Sequence, residues 1–183
     1  MILPIYVYGH PVLRKVAEDF ELNDPEAPQL VENMYETMYK ADGIGLAGPQ
    51  VGVSKRIFVV DASSYEDEDP SLKDFKKIFL NPHIIEKTGD PYFVGEGCLS
   101  LPDMREEIER PESVVLSYYD ENWQHHEETF SGFQARVIQH EYDHLEGTLF
   151  VDLLSPLNRR LLKSKLSAIS KGKVQPAYRI KLP

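Results

Sequence analysis

"QHEYDH", Gln139 to His144, sets His140 and His144 four residues apart with Glu141 between them. On a helix, side chains at that spacing project from one face, so two imidazoles and a carboxylate converge on one point. Two imidazoles are half of a tetrahedral site. A catalytic ion usually takes three protein ligands and leaves the fourth position to water. The fold is therefore read outward from this helix, and the first question is where the third ligand lies.

Ser131 is placed to cap a helix over about 132–146, with Phe133, Val137, His140 and His144 on one side. Upstream, IFVVD (57–61), KIFLNPHII (77–85) and SVVLSYYDE (113–121) read as strands, and WQHHEETF (123–130) as the hairpin partner of the last. SSYEDEDPSLKDF (63–75) is polar and acidic, and reads as an exposed loop insertion with no assigned role. Asp24-Pro25 opens a helix with Asp as N-cap and Pro at the first helical position. Ala27, Leu30, Val31, Met34, Met38 and Ala41 then form its apolar stripe, and Gly43 stops it. A basic C-terminal helix fits 156–171, with Leu157, Leu161, Leu162, Leu166 and Ile169 inward. Strands in the middle and helices towards both ends predict an α+β class. We expect a single domain over 1–183, with mixed or antiparallel sheets around a central metal-binding helix.

At 183 residues the chain holds one full core and hardly two. No apolar run approaches the ~20 residues that span a bilayer. The start, MILPIYVYGHPVL, has no basic n-region, so no signal peptide is expected. The single cysteine, Cys98, excludes an internal disulfide framework and fits a reducing, cytoplasmic setting. The net charge is −10, which argues against DNA or general nucleic-acid binding. Eight basic residues and no acid follow Asp152, so the residues up to Asp152 carry −18. Such a basic tail is either a solvated helix face or a docking element for an anionic surface.

Two sources of a third ligand fail. The extended pattern H-E-x-x-H-x-x-G-x-x-H is matched at Gly147 but ends on Phe150, which binds no metal. A glutamate from a following helix is also missing, since Glu146 and Asp152 are the only downstream carboxylates. The ligand must lie upstream, where Cys98 stands in GEGCLSLP (95–102). A thiolate is a strong ligand, but lone cysteines are commonly small buried hydrophobes, and spacing alone leaves both open. Gly95 and Gly97 would permit close backbone approach beside a metal. The other histidines read as structural: His125 and His126 point to opposite faces of a strand, while His10 and His83 sit beside prolines.

DGIGLAGPQVG (42–52) contains G-x-G-x-x-G at Gly43, Gly45 and Gly48. A dinucleotide loop must follow a strand and open a helix, whereas this one follows a helix and runs into Pro49. The nucleotide reading is rejected. Gln50 is the useful residue left, because its amide can donate to an oxyanion without titrating.

Taken together and in order, GIGLAGPQ (43–50), EGCLS (96–100) and QHEYDH (139–144) resemble the three signature segments of the peptide deformylases. The resemblance spans nearly the whole chain. It implies metal ligation by Cys98, His140 and His144, with Glu141 as general acid/base. It also implies an oxyanion site made by the Gln50 amide and the Leu99 N–H. The implied substrate is the formyl-methionyl end of a newly made polypeptide, with formate released. The implied ion is Fe²⁺, with Zn²⁺, Ni²⁺ or Co²⁺ as substitutes. By analogy Glu96 supports the ligands, with Arg110 as its partner, the alternative being a simple surface pair. The chain departs from the pattern at Gly48, where the family usually has alanine, and a slightly looser loop is expected there.

For the methionine side chain the helix offers Phe133 and Val137, with Ile44 and Arg136 near the mouth, though the same four read equally well as core and rim; Gly45 and Gly97 complete the candidate substrate-binding set. The basic C-terminal helix would position the enzyme on the ribosome. Two rival readings remain at this point: a general metallopeptidase using the same helix, and a non-enzymatic structural metal site in an adaptor.

Overall fold

The computed structural model describes residues 1–183. At its centre lies α2 (Gly132–Leu145), clasped between a sheet and a hairpin. The sheet has five strands: β2 (Gly45–Ala47), β3 (Ile57–Asp61), β4 (Lys76–Thr88), β7 (Ser113–Tyr119) and β8 (His125–Ser131). They lie side by side in that order, every pair antiparallel. β3 is buried along Ile57 to Val60, which explains its unbroken apolar run, and β7 buries only its alternate residues Val114, Leu116 and Tyr118. Phe58, Phe79, Phe130, Ala135, Ile138 and Leu145 share one core, so one stripe of α2 lies on the sheet.

The hairpin of β5 (Tyr92–Cys98) and β6 (Leu101–Arg110) closes the other side of α2. Sequence reading missed it, because a run of glycines and charges such as VGEGC and MREEIER masks its alternation. Leu101, Met104 and Ile108 point inward onto Leu149, Phe150, Val151, Leu162, Leu166 and Ile169. β1 (Ile5–Tyr6) and β9 (Ile180–Lys181) pair in parallel and join the chain termini. The α+β class and the antiparallel sheets around the histidine-bearing helix are as expected.

Several local expectations are corrected. The N-terminal helix, α1, spans Ala27–Lys40 and begins after Pro25. The Asp24 carboxylate accepts the Glu26 N–H at 2.8 Å, capping a turn ahead of the helix. The left-handed residue beyond α1 is Asp42, at φ 58, not Gly43. Ser131 stands at the N-cap of α2 without a capping bond; its hydroxyl pairs instead with Ser113 Oγ at 2.7 Å. The C-terminal helix is broken at Leu162 into α3 (Pro156–Leu161) and α4 (Lys163–Ser170). Leu157 and Leu161 are 63% and 72% exposed, while Leu162, Leu166 and Ile169 are buried. The reason is coverage: α4 lies on β6, whereas no residue of α3 is buried. The 63–75 segment is not a simple exposed loop either. It forms two short 3-10 turns, and Leu72 and Phe75 drop into the sheet core.

Candidate active site

α2 brings His140 and His144 to one end of the hairpin, where Cys98 terminates β5. Their ligating atoms all lie within 4.8 Å of one another, with Cys98 Sγ 3.4 Å from His144 Nε2. His140 Nδ1 is taken by Glu96 Oε1 at 2.8 Å, which leaves Nε2 to face the cluster. The second nitrogen of His144, Nδ1, is buried without a partner. A thiolate and two imidazoles converging at this range suit a divalent ion such as Zn²⁺ or Fe²⁺. The three residues present therefore fit a metal.

The shell behind them is built from ionic hydrogen bonds. Arg110 Nε donates to Glu96 Oε2 at 2.7 Å, and its two terminal nitrogens donate to Glu96 Oε1 at 2.9 Å and Asp143 Oδ2 at 2.7 Å. Arg136 adds a second cation at 3.1 Å from Glu96 Oε2. Burial alone would raise the Glu96 pKa. The hydrogen bonds from His140 and Arg110 outweigh it and hold the carboxylate down to about 2. A second ring nitrogen held by a carboxylate fixes the tautomer and orientation of a ligand histidine. Burial pushes His140 down, but its contacts with Cys98 and Glu96 prevail and its pKa ends well above the usual value. His144 has no carboxylate on its second nitrogen, and burial drives its pKa down.

Glu141 sits beside the ligands, 5% exposed, with Oε2 unpartnered. Burial raises its pKa to about 7, so its carboxyl can both take and give a proton near neutrality. Gly45 makes room for it, since a Cβ there would lie 2.5 Å from Glu141 Oε1. The Gln50 side-chain oxygen Oε1 accepts the Ala47 N–H at 2.9 Å, which turns the side-chain nitrogen towards Ser100 Oγ at 3.2 Å and Cys98 Sγ at 3.6 Å.

A cavity of about 700 Å³ opens over this cluster. Ile44, Gly45, Gln50, Gly97, Cys98, Leu99, Phe133, Val137, His140 and Glu141 all line it, and His144 stands behind. Arg136 reaches the wall but is not a residue of the mouth. It is 3% exposed and donates to the Ile108 and Tyr92 carbonyls at 2.8 and 2.7 Å. Sequence reading missed Tyr65, Leu72 and Tyr178, which also line the cavity. The first two belong to the acidic segment, and Tyr178 follows the last helix where no periodicity marks it.

Gly48 is also corrected. A Cβ there would come within 2.8 Å of the Lys55 and Val53 carbonyl oxygens and 2.9 Å of Ile57 Cγ2. The glycine therefore permits close packing of the 53–57 segment, rather than merely loosening the loop.

A family model described as polypeptide deformylase matches residues 2–160. The chain belongs to the polypeptide deformylase family. A peptide deformylase of Christiangramia forsetii is 50% identical over 190 residues, covering 100% of this chain and 97% of that one. One from Cytophaga hutchinsonii is 49% identical over 183 residues, with coverages of 100% and 98%. Among solved structures, the Plasmodium falciparum peptide deformylase superposes with a TM-score of 0.82 at 38% identity, covering 92% of this chain and 95% of that one. The Thermotoga maritima enzyme gives 0.77 at 40% identity, with coverages of 85% and 99%. Membership of the deformylase family agrees with a metal-dependent site at Cys98, His140 and His144. No helix of the chain is long and apolar enough to cross a membrane.

Proposed function

We propose that the chain hydrolyses the formamide of formyl-methionyl polypeptide ends, with Glu141 as the proton-transferring residue. The observation that carries this reading is the buried, unpartnered Glu141 carboxylate oxygen beside the Cys98, His140 and His144 donor atoms. A divalent ion held by those three residues would supply Lewis acidity and a water of lowered pKa. Glu141 takes the proton of the attacking water and returns it to the amine as the formyl C–N bond breaks, leaving formate and a free amino terminus. The Gln50 amide and the Leu99 N–H face the formyl oxygen as negative charge builds on it. Ile44, Phe133 and Val137 receive the methionine side chain, and Gly45 and Gly97 leave space for its backbone.

Ferrous iron is the ion we assign, on the thiolate-imidazole donor set and the family resemblance; zinc, nickel or cobalt can take its place. The working compartment is the cytoplasm, where formylated chains emerge. The basic face of α3 and α4, with Arg159, Arg160 and Lys163 around a cleft beside Tyr8, supports docking on the ribosome. Neutralising Lys163, Lys165, Lys171 and Lys173 tests this: ribosome co-sedimentation at low salt should disappear, and its persistence removes the docking reading.

The activity is tested by formate release from formyl-Met-Ala-Ser, with protein purified without oxygen and loaded with Fe²⁺ or Ni²⁺. The acetylated peptide should be inert. Glu141→Gln should lose roughly 10²–10⁴-fold in rate while still binding metal. Metal-loaded protein that releases no formate would overturn the assignment and favour a structural metal site.

A further inference from the structure

One wall of the cavity has no part in the chemistry above. Tyr178, between α4 and β9, donates its hydroxyl to the Leu99 carbonyl at 2.7 Å. The segment that carries it is anchored by the paired termini, where Ile5 N–H donates to the Arg179 carbonyl at 2.9 Å and Val7 N–H to the Lys181 carbonyl at 3.1 Å. On its other side Leu99 rests on Gly43, where a Cβ would come 2.8 Å from Leu99 Cδ1. Leu99 itself lies in the turn between β5 and β6, just past the register shift at Gly97 and Cys98. A residue outside the ladder has few bonds to fix its φ and ψ, and an oxyanion donor is effective only when oriented in advance.

We infer that Tyr178 is a positioning residue for deformylation, its hydroxyl gripping the Leu99 carbonyl so that the Leu99 N–H faces the formyl oxygen. The inference rests on the role given to Leu99 under Proposed function. The carboxyl-terminal strand thereby reaches from the joined chain ends to the reacting atoms. Burial raises the phenol's pKa, so the hydroxyl stays a donor at every working pH. The ring could fill the same space without the hydroxyl, and Tyr178→Phe separates those two roles.

The experiment compares wild type and Tyr178→Phe in three measurements: steady-state formate release, thermal melting, and amide NMR of the metal-free proteins. The expected result is a fall in kcat of about 10-fold with KM within about 2-fold, the change of one net hydrogen bond felt in the transition state. The melting temperature should hold within ~2 °C. The Ser100 amide shares a peptide unit with the Leu99 carbonyl, so its resonance should shift, and amides 98–101 should exchange several-fold faster. Tyr178→Leu, which also removes the ring, should lose at least as much in kcat.

An unchanged kcat in Tyr178→Phe overturns the inference. So does a rise in KM alone, which would make Tyr178 a direct substrate contact, and so does a loss of kcat that only follows a loss of melting temperature. If wild-type protein releases no formate, the functional reading fails. The amide measurements then still decide whether the hydroxyl holds Leu99.

Discussion

Replacing Glu96 with glutamine keeps the shape of the side chain and removes its charge from the most heavily bonded buried carboxylate in the protein. Glu96 is 6% exposed and meets Arg110, Arg136 and His140. Its pKa falls from 4.5 to about 2 on folding, worth about 3 kcal/mol in favour of the folded state at neutral pH. Removing one partner of a buried pair typically costs ~3–5 kcal/mol, so the two routes to the magnitude agree. Asp143 still bonds Arg110 at 2.7 Å, which sets the expectation at the lower end, about 3 kcal/mol. For a chain of this size that lowers the melting temperature by roughly 6–12 °C.

The pH dependence has a definite sign. A carboxylate with a depressed folded pKa contributes stability above its unfolded pKa and loses it as pH falls through the folded value. Below about pH 5 the gap between wild type and Glu96→Gln should therefore close, down to about pH 2, while between pH 7 and 6 it also carries the titration of His140, whose raised pKa Glu96 helps to hold. Urea titrations of both metal-free proteins at pH 7, 6, 5 and 4 measure it. A gap below ~1 kcal/mol at pH 7, or one that does not narrow as pH falls from 5 to 4, would refute the reasoning. The loaded proteins add a second readout, because loss of the group orienting His140 should weaken metal affinity by ~10–100-fold.

Gly48→Ala should lower stability by about 1–2 kcal/mol in thermal melts, even though alanine is the residue usual in the resembling family. A Cβ there meets two backbone carbonyls at 2.8 Å, and an unchanged or higher melting temperature would show that the 53–57 segment yields freely. Leu166→Ala should cost ~2–4 kcal/mol and Leu161→Ala under ~0.5, because Leu166 is 8% exposed and Leu161 72%. Equal losses in denaturant titrations would restore one continuous amphipathic helix. Metal loading should release protons near pH 7, since ligation needs Cys98 as thiolate and His140 as neutral imidazole. Calorimetry in buffers of different ionisation enthalpy counts those protons, and a count of zero would contradict ligation by Cys98.

The pairing of His140 and His144 beside Glu141 was legible in the chain because it is local, whereas Cys98 entered only through the resemblance. A four-residue helical spacing puts His140, Glu141 and His144 together whatever surrounds them, and IFVVD and SVVLSYY each declare a strand by their own apolar pattern. Eliminating downstream ligands needed only the order of acids along the chain. What stayed hidden depends on contacts between distant segments. The β5/β6 hairpin is stabilised by pairing and by Glu96 bonding across to α2, neither of which leaves a periodic trace. Arg136 looks like a rim residue in sequence, yet it is buried because two carbonyls and a carboxylate await it there. The stripe from Leu157 to Ile169 is amphipathic throughout, and only the fold decides that β6 covers its second half. Tyr178 reaches Leu99 across 79 residues through a two-stranded pairing of the chain ends. The sequence alone thus offered the candidate groups, among them Cys98, His140 and His144, which the fold brings together. Tertiary structure decided which were buried, what held them, and what surrounded the cavity, because burial and partner choice are properties of surfaces brought together rather than of any one segment.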